Sequence, residues 1–247
     1  MQVFGLTDKG RVRETNEDNF AIVGFDGAQP DAGVCVVADG MGGHKAGEVA
    51  SKETVNIVSK ELESYIGKDL ISQNIKVLMV SAIKNANTAV RKLAEDSPTR
   101  DGMGTTVVSS YVTDDTVYIV NVGDSRAYIV NANEIKQLTT DHSLVENLIA
   151  DGTITREEAK THSRKHVITR AIGTEEDILT DVFEYKYQKG ADTLILCTDG
   201  LTEMLDDNEI FNIVNSTEYV KIAVQNLINK ANELGGTDNI TVIGVKL

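Results

Sequence analysis

Four aspartates lie at the ends of short apolar segments, where a carboxylate can leave a buried sheet and enter a crevice. They are Asp39 in VVADGMGGH, Asp124 in VNVGDSRAY, Asp199 in LILCTDGL and Asp238 in GGTDNITV. Two carboxylates about 4 Å apart repel each other by about 4 kcal/mol at an effective dielectric constant near 20. A divalent cation reverses the sign of that interaction. The pattern therefore predicts that these carboxylates bind metal.

Composition and charge limit the classes of protein that need to be considered. The chain has 247 residues, of which 41% are hydrophobic, and we expect a single domain spanning residues 1–247. Its net charge of −14 disfavours nucleic acids and anionic membrane surfaces as partners, since both are polyanions. The sequence contains neither the roughly 20-residue apolar stretch that spans a bilayer nor a secretory signal. We expect a cytoplasmic protein and, since no exposed apolar stripe is evident, a monomer.

Two cysteines, Cys35 and Cys197, lie inside apolar segments and are typical of small buried side chains. A disulfide between them would require neighbouring strands, and a reducing compartment disfavours it. The usual zinc-binding patterns CxxC and HExxH are absent from the sequence.

Periodicity predicts the elements that must position these residues. Five segments rich in Val, Ile, Tyr and Thr predict strands, several of them joined by tight turns: GVCVVADG, TTVVSSYV, TVYIVNVG, SRAYIVNA and DTLILCTDG. Apolar residues at helical spacing predict helices over 46–62, 75–93 and 220–234. Consecutive hairpins indicate antiparallel sheets, and single-faced helices usually cover a sheet. We therefore predict an α+β fold, a four-layer α-β-β-α sandwich of two antiparallel sheets flanked by helix pairs.

The segment from His142 to Ala171, which we call the flap, differs from the rest of the chain. It is polar, carries a short helical pattern, and separates two predicted core strands. Long excursions of this kind are commonly lids or substrate loops, although a plain surface insertion is the alternative.

Eight segments resemble, in order, the motif series of the bacterial metal-dependent protein serine/threonine phosphatases of type 2C. They are RVRETNEDNF, ADGMGGHKAGEVAS, GMGTTVV, VGDSRAY, TTDHSLV, ITRAIG, CTDGLTEML and GGTDNITV, and the match runs from about Asp8 to Val245. The resemblance implies the same sandwich fold and the hydrolysis of phosphoserine and phosphothreonine monoesters on proteins. It also implies a signalling role in which the enzyme reverses a bacterial serine/threonine kinase.

The same resemblance assigns ligands to two metal ions. It implies that Asp39 bridges the ions, that the Gly40 carbonyl binds the second ion, and that Asp199 and Asp238 complete the shell of the first. Asp124 resembles a ligand of a third, weaker ion that it shares with Asp199. Because the ligands are oxygen atoms, Mn²⁺ or Mg²⁺ is favoured. The implied nucleophile is a hydroxide that bridges the two ions and attacks phosphorus directly.

Three further residues receive roles from the resemblance. Glu17 and Asp18 correspond to carboxylates that hydrogen-bond metal-bound water without replacing it. Arg13 corresponds to the phosphate-binding arginine, whose planar fork suits two phosphate oxygens.

One departure from the family pattern concerns the acid that protonates the leaving alcohol. Many eukaryotic relatives carry a histidine where this chain has Met41, and a thioether cannot donate a proton. A metal-bound water is the expected donor, with His44 as the alternative. His142, His162 and His166 are expected to be structural.

Two other functions compete with a phosphatase. A regulator that has lost turnover would lack a metal aspartate, and every expected aspartate is present. A phosphodiesterase or nuclease could use similar carboxylates, but the acidic chain lacks a recognisable basic groove.

Overall fold

The computed structural model describes residues 1–25, 32–42 and 46–247. The strands are β1 (Gln2–Asp8), β2 (Asn19–Gly24), β3 (Gly33–Ala38), β4 (Gly40–Met41), β5 (Gly104–Thr105), β6 (Val107–Val112), β7 (Thr116–Val122), β8 (Arg126–Val130), β9 (Ile135–Gln137), β10 (Asp181–Lys186), β11 (Thr193–Cys197) and β12 (Ile240–Lys246). The helices are α1 (Ala46–Glu63), α2 (Ser72–Glu95), α3 (Leu144–Ala150), α4 (Arg156–Lys160), α5 (Asp199–Thr202), α6 (Asp207–Asn215) and α7 (Val220–Glu233), with a 3₁₀ turn at Pro98–Arg100.

Two five-stranded antiparallel sheets form the centre of the molecule. The first has the strand order β1-β12-β11-β8-β9, and the second has the order β10-β7-β6-β3-β2. One apolar cluster fills the space between the sheets, and a further cluster lies between each sheet and its helices. This arrangement confirms the predicted α+β sandwich of four layers.

The central strands are apolar throughout because both of their faces are buried. In β3, Val34 and Val36 pack against the helical layer, whereas Cys35 and Val37 face the opposite sheet. Successive side chains of a strand point to opposite faces, so a middle layer needs apolar residues at every position. The same alternation explains the uninterrupted apolar segment of β11.

The two cysteines lie in different layers, which excludes the disulfide that the sequence left open. Cys35 of β3 faces the space between the sheets, and Cys197 of β11 faces the helices that cover the first sheet. Both thiols are free and buried. Burial raises the pKa of each thiol to about 12, so neither carries appreciable thiolate at neutral pH.

The three predicted helices are confirmed as the covering layers. Helices α1 and α2 pack on the second sheet, while α5, α6 and α7 cover the first. Within the described ranges, no helix is long and apolar enough to cross a membrane.

Five strands of the two sheets, β1, β2, β9, β10 and β12, were not predicted. Four of them are edge strands with partly exposed side chains, so their apolar periodicity is weak. The fifth, β12, is an inner strand interrupted by Gly244. A Cβ on Gly244 would lie 2.8 Å from Val220 Cγ1 of α7, so the missing side chain allows that helix to approach the sheet.

The flap contains the predicted short helix as α3 and a second helix, α4. Ser143 caps α3 by accepting from the Glu146 backbone N–H, and Thr155 caps α4 in a reciprocal capping box with Glu158. A β-bridge between Ser143 and Ile168 closes the base of the flap.

Candidate metal centre

The four predicted aspartates lie at one end of the sandwich and line one cavity of about 1140 Å³. Asp39 joins β3 to β4, Asp199 opens α5 directly after β11, and Asp124 lies in the β7–β8 turn. Asp238 precedes β12, which runs antiparallel to β11, so the start of one strand lies beside the end of the other. The topology therefore gathers residues that are up to 199 positions apart in the sequence.

Two threonines hold the backbone of Asp39 in place. The Asp39 N–H donates to Thr106 Oγ1 at 3.0 Å, and the Asp39 carbonyl accepts from the Thr105 hydroxyl at 2.7 Å and from the Thr106 N–H at 2.9 Å. Both threonines belong to the GMGTTVV segment. That segment therefore orients an aspartate of the cavity.

Asp39 and Asp199 form the electrostatic centre of the cavity. Burial, together with the charges of Asp18 and Asp199, raises the pKa of Asp39 well above its ordinary value. Burial and the charges of Glu203 and Asp238 raise the pKa of Asp199 to about 6, although a hydrogen bond from Asp39 opposes this shift. Asp199 Oδ1 is buried without a hydrogen-bond partner among the described residues. These carboxyls therefore carry charge only at a considerable cost unless a cation joins them.

Asp124 and Asp18 are two further carboxyls whose pKa values are raised in the same way. Burial and the charge of Asp199 raise the pKa of Asp124 to about 8. Burial also raises the pKa of Asp18 to about 7, although the Thr198 and Thr241 hydroxyls donate to its Oδ2 at 2.9 and 2.7 Å. Asp18 Oδ1 lacks a partner in the described part of the chain.

Asp238 is paired with Arg13 in this arrangement. Arg13 Nη2 donates to Asp238 Oδ2 at 2.7 Å, and the Asn239 N–H donates to Asp238 Oδ1 at 2.8 Å. The hydrogen bond to Asp238, opposed by burial, raises the pKa of Arg13. Among the described residues, no three His, Cys, Asp or Glu side chains already stand in a coordination shell. An ion bound at Asp238 would share this carboxylate with Arg13.

The residues of the cavity nevertheless fit a hard divalent cation. The donors are carboxylate oxygens, and one of them, on Asp199, is buried and unsatisfied. At Gly40 a Cβ would collide with the Gly47 carbonyl oxygen and lie 2.6 Å from the Glu17 carbonyl oxygen. The missing side chain therefore lets the Gly40 backbone lie close to these two carbonyl groups. The sequence-predicted residues Arg13, Glu17, Asp39, Gly40, Asp124, Asp199 and Asp238 all line the cavity, whereas Asp18 is buried behind it.

Sequence reasoning missed several residues of the cavity wall. Glu203 lies one helical turn after Asp199, a spacing that could have revealed it. From the flap, Lys165 and His166 reach the same wall, and His166 Nδ1 lies 2.5 Å from Glu203 Oε1. His166, expected to be structural, therefore lies at the cavity. Met41 also lines it, whereas His44 lies outside the described residues.

His142 makes structural contacts at the base of the flap. Its Nδ1 accepts from the Gly123 N–H at 3.0 Å, and its Nε2 lies 3.3 Å from Asp181 Oδ2. Burial lowers the pKa of His142, so the ring is neutral at physiological pH. It holds the turn that carries Asp124.

Comparisons with known proteins agree with this geometry. The family model described as Protein phosphatase 2C matches residues 9–230. The chain is 40% identical over 240 residues to the serine/threonine phosphatase stp of Listeria monocytogenes, covering 97% of this chain and 93% of that protein. The structure of the serine/threonine phosphatase Stp1 from Staphylococcus aureus superposes with a TM-score of 0.90 at 36% identity, over 99% of this chain and 94% of the other.

A further relative was solved with metal. The catalytic domain of the serine/threonine protein phosphatase PstP, in complex with two manganese ions, superposes with a TM-score of 0.83 at 31% identity, over 98% of this chain and 96% of the other. The family model alone spans most of the chain, and the curated relative spans nearly all of it. This chain therefore belongs to the protein phosphatase 2C family and is a bacterial serine/threonine phosphatase of that type.

Proposed function

We propose that this cavity hydrolyses phosphoserine and phosphothreonine monoesters on proteins with two Mn²⁺ or Mg²⁺ ions and a third, weaker one. The observation that carries the proposal is the convergence of Asp39, Asp124, Asp199 and Asp238 on one cavity, with a buried carboxylate oxygen left unsatisfied. When bound, the ions supply a water activated near neutral pH for direct attack on phosphorus. Asp39, the Gly40 carbonyl, Asp199 and Asp238 are the proposed ligands of the pair, and Asp124 of the third ion.

Arg13 is the proposed phosphate-binding residue. Its ion pair with Asp238 supports a role that is coupled to metal binding by that aspartate. The guanidinium holds one carboxylate oxygen of Asp238 at 2.7 Å. A cation held by Asp238 would weaken the attraction of that carboxylate for the guanidinium. The planar fork of Arg13 would then be available to bind two phosphate oxygens of the substrate in a bidentate manner.

Glu17 and Asp18 are proposed to orient water at the centre. Glu17 lines the cavity, and its backbone is fixed by a bond from its N–H to Asn239 Oδ1 at 2.8 Å. Asp18 keeps an unsatisfied oxygen on the buried side. Carboxylates in such places accept hydrogen bonds from water that ligates a cation.

Protonation of the leaving alcohol is proposed to come from water in the cavity. Met41 lines the cavity but has no acidic proton. The cavity is large enough to hold several water molecules beside the carboxylates.

Release of phosphate from a phosphothreonine peptide tests the proposal. We expect turnover with Mn²⁺, loss of turnover with EDTA, and recovery when Mn²⁺ is restored. Asp199→Asn should abolish turnover, whereas Glu218→Gln, an exposed carboxylate outside the cavity, should leave it unchanged. Turnover that survives exhaustive chelation would refute the metal-dependent mechanism, and preferential cleavage of a bis-ester would redefine the enzyme as a phosphodiesterase.

The biological setting belongs to the same proposal. We infer that a bacterial serine/threonine kinase phosphorylates the proteins that this enzyme resets. Cytoplasmic location, a monomeric state and a single domain over residues 1–247 remain predictions from the sequence.

A further inference from the structure

A second cavity of about 730 Å³ adjoins the metal centre. We call it the side groove. One wall is formed by the flap helices α3 and α4, and the other by α5 and the start of α6. The side groove and the catalytic cavity share lining residues, namely Asp124, Lys165, Asp199, Glu203 and Met204. A chain that places a phosphorylated residue at the metal centre can therefore continue directly into the side groove.

The basic residues of the side groove are already paired. Each has a carboxylate partner within 4.0 Å, in the pairs Arg126–Asp141, Arg156–Glu146, Lys160–Glu157 and Lys165–Glu203. Their positive charges are largely neutralised by these partners and are poor sites for an acidic ligand.

Three carboxylates at the start of α6 have no such partner. In the part of the chain that the structure describes, Asp206, Asp207 and Glu209 lie beyond 4.0 Å of every basic group. Asp206 and Glu209 accept hydrogen bonds from each other's backbone N–H in a capping box, which fixes the positions of both carboxylates. The pKa of Lys160, on the opposite wall, is raised first by Glu157 and then also by Asp206 and Asp207. The field of these carboxylates therefore extends across the groove.

A separate observation shows that the side groove opens onto the reacting centre. Asp199 is half-buried and lines both cavities, and its buried Oδ1 has no hydrogen-bond partner among the described residues. The volume of the groove falls in the range of roughly 300–1,000 Å³ that ligand sites occupy. It can hold a few residues of an extended peptide, whose length grows by about 3.3–3.6 Å per residue.

We propose that the side groove binds the substrate segment next to the phosphorylated residue and selects lysine or arginine there through the α6 carboxylates. The assignment rests on the proposed phosphatase function, because the groove adds selectivity to that centre. Asp207 is the specificity residue that can be changed most cleanly. Its neighbours Asp206 and Glu209 also cap α6, so their loss would weaken the helix as well.

Three phosphothreonine peptides that differ only in flanking arginine, alanine or glutamate test the proposal. A small aryl phosphate, which does not reach the groove, reports the metal centre alone. We expect kcat/KM to be about fivefold higher for the arginine peptide than for the glutamate peptide, as for an exposed ion pair. The preference should shrink at 1 M salt, where charges are screened within about 3 Å.

Asp207→Lys should abolish or invert this order while turnover of the aryl phosphate stays unchanged. Glu218→Lys, the matched control, makes the same charge change at an exposed site that lines neither cavity, and it should keep the arginine preference. Circular dichroism checks that both variants are folded.

Equal kcat/KM on the three peptides, with normal turnover of the aryl phosphate, overturns the groove assignment and leaves the phosphatase function standing. A preference that survives in Asp207→Lys overturns the role of the α6 carboxylates. Failure on every substrate, the aryl phosphate included, overturns the phosphatase function and the groove assignment that depends on it.

Discussion

Replacing Asp199 by asparagine should stabilise the metal-free protein while it abolishes activity. Asp199 is half-buried with its Oδ1 atom shielded from solvent, and burial together with the charges of Glu203 and Asp238 raises its pKa from 3.8 to about 6. Each pKa unit corresponds to about 1.4 kcal/mol, so keeping this group ionised in the folded state costs about 3 kcal/mol. Asparagine preserves the shape and a hydrogen bond to Asp39 but carries no charge. The free energy of unfolding should therefore rise by about 3 kcal/mol at pH 8.

The pH dependence of stability follows from the difference between the pKa values of Asp199 in the folded and unfolded states. The pKa of Asp199 in the folded state lies above its value in the unfolded state. Its contribution to the free energy of unfolding is therefore fully present below about pH 3.8 and is lost as the pH rises through about 6. Asp18 and Asp124, with pKa values of about 7 and about 8, extend the loss of stability to about pH 8. The free energy of unfolding of the metal-free wild type should therefore fall between about pH 4 and 8, and that of Asp199→Asn should fall less.

Urea unfolding followed by circular dichroism, in EDTA, measures both effects. Glu218→Gln, an exposed carboxylate outside the cavity, serves as the control and should match wild type. Mn²⁺ at 1,000 times its Kd should reverse the order, because at that concentration an ion adds about 4.1 kcal/mol to wild type and little to the variant. A metal-free variant that is no more stable than wild type at pH 8 would show that the carboxylates do not repel one another as described.

Three further substitutions test other parts of the site. Arg13→Ala should raise KM for a phosphopeptide about tenfold or more, since charged hydrogen bonds contribute about 1.5–3 kcal/mol; a change in kcat alone would contradict its role in binding phosphate. Gly40→Ala should lower the affinity for Mn²⁺ in calorimetry, because its Cβ would collide with the Gly47 carbonyl; unchanged affinity would show that the backbone position is not needed. His142→Asn should keep an acceptor for the Gly123 N–H and nearly full activity, whereas His142→Leu should lose about 1–3 kcal/mol of stability to an unsatisfied N–H; equal unfolding midpoints for the two would contradict the contact.

The layers of the fold could be predicted because each layer leaves a local pattern of apolar residues in the sequence. Helices α2 and α7 bury a single face each, so apolar residues recur at the helical period. The central strands bury both faces and read as uninterrupted apolar segments. Edge strands such as β1 bury less and were missed, as was β12, whose glycine depends on a helix packed above it.

Which residues form the site could be predicted better than how they contact one another. Asp39, Asp124 and Asp199 could be predicted because each lies in a turn that follows an apolar strand. A carboxylate between a buried strand and a glycine or serine is easily recognised in the sequence. The ion pair of Arg13 with Asp238 joins residues 225 positions apart, and a single sequence gives no sign of it. The side groove likewise exists only because the flap folds against α5 and α6.

The opposed placement of the two thiols has a practical consequence for handling this enzyme. Because Cys35 and Cys197 are buried in separate layers and stay protonated, alkylating reagents and mild peroxide should leave both thiols of the native protein unmodified. A molecule that unfolds completely exposes both sulfurs. The rate of thiol labelling under native conditions therefore measures how often the protein opens, and no engineered probe is needed.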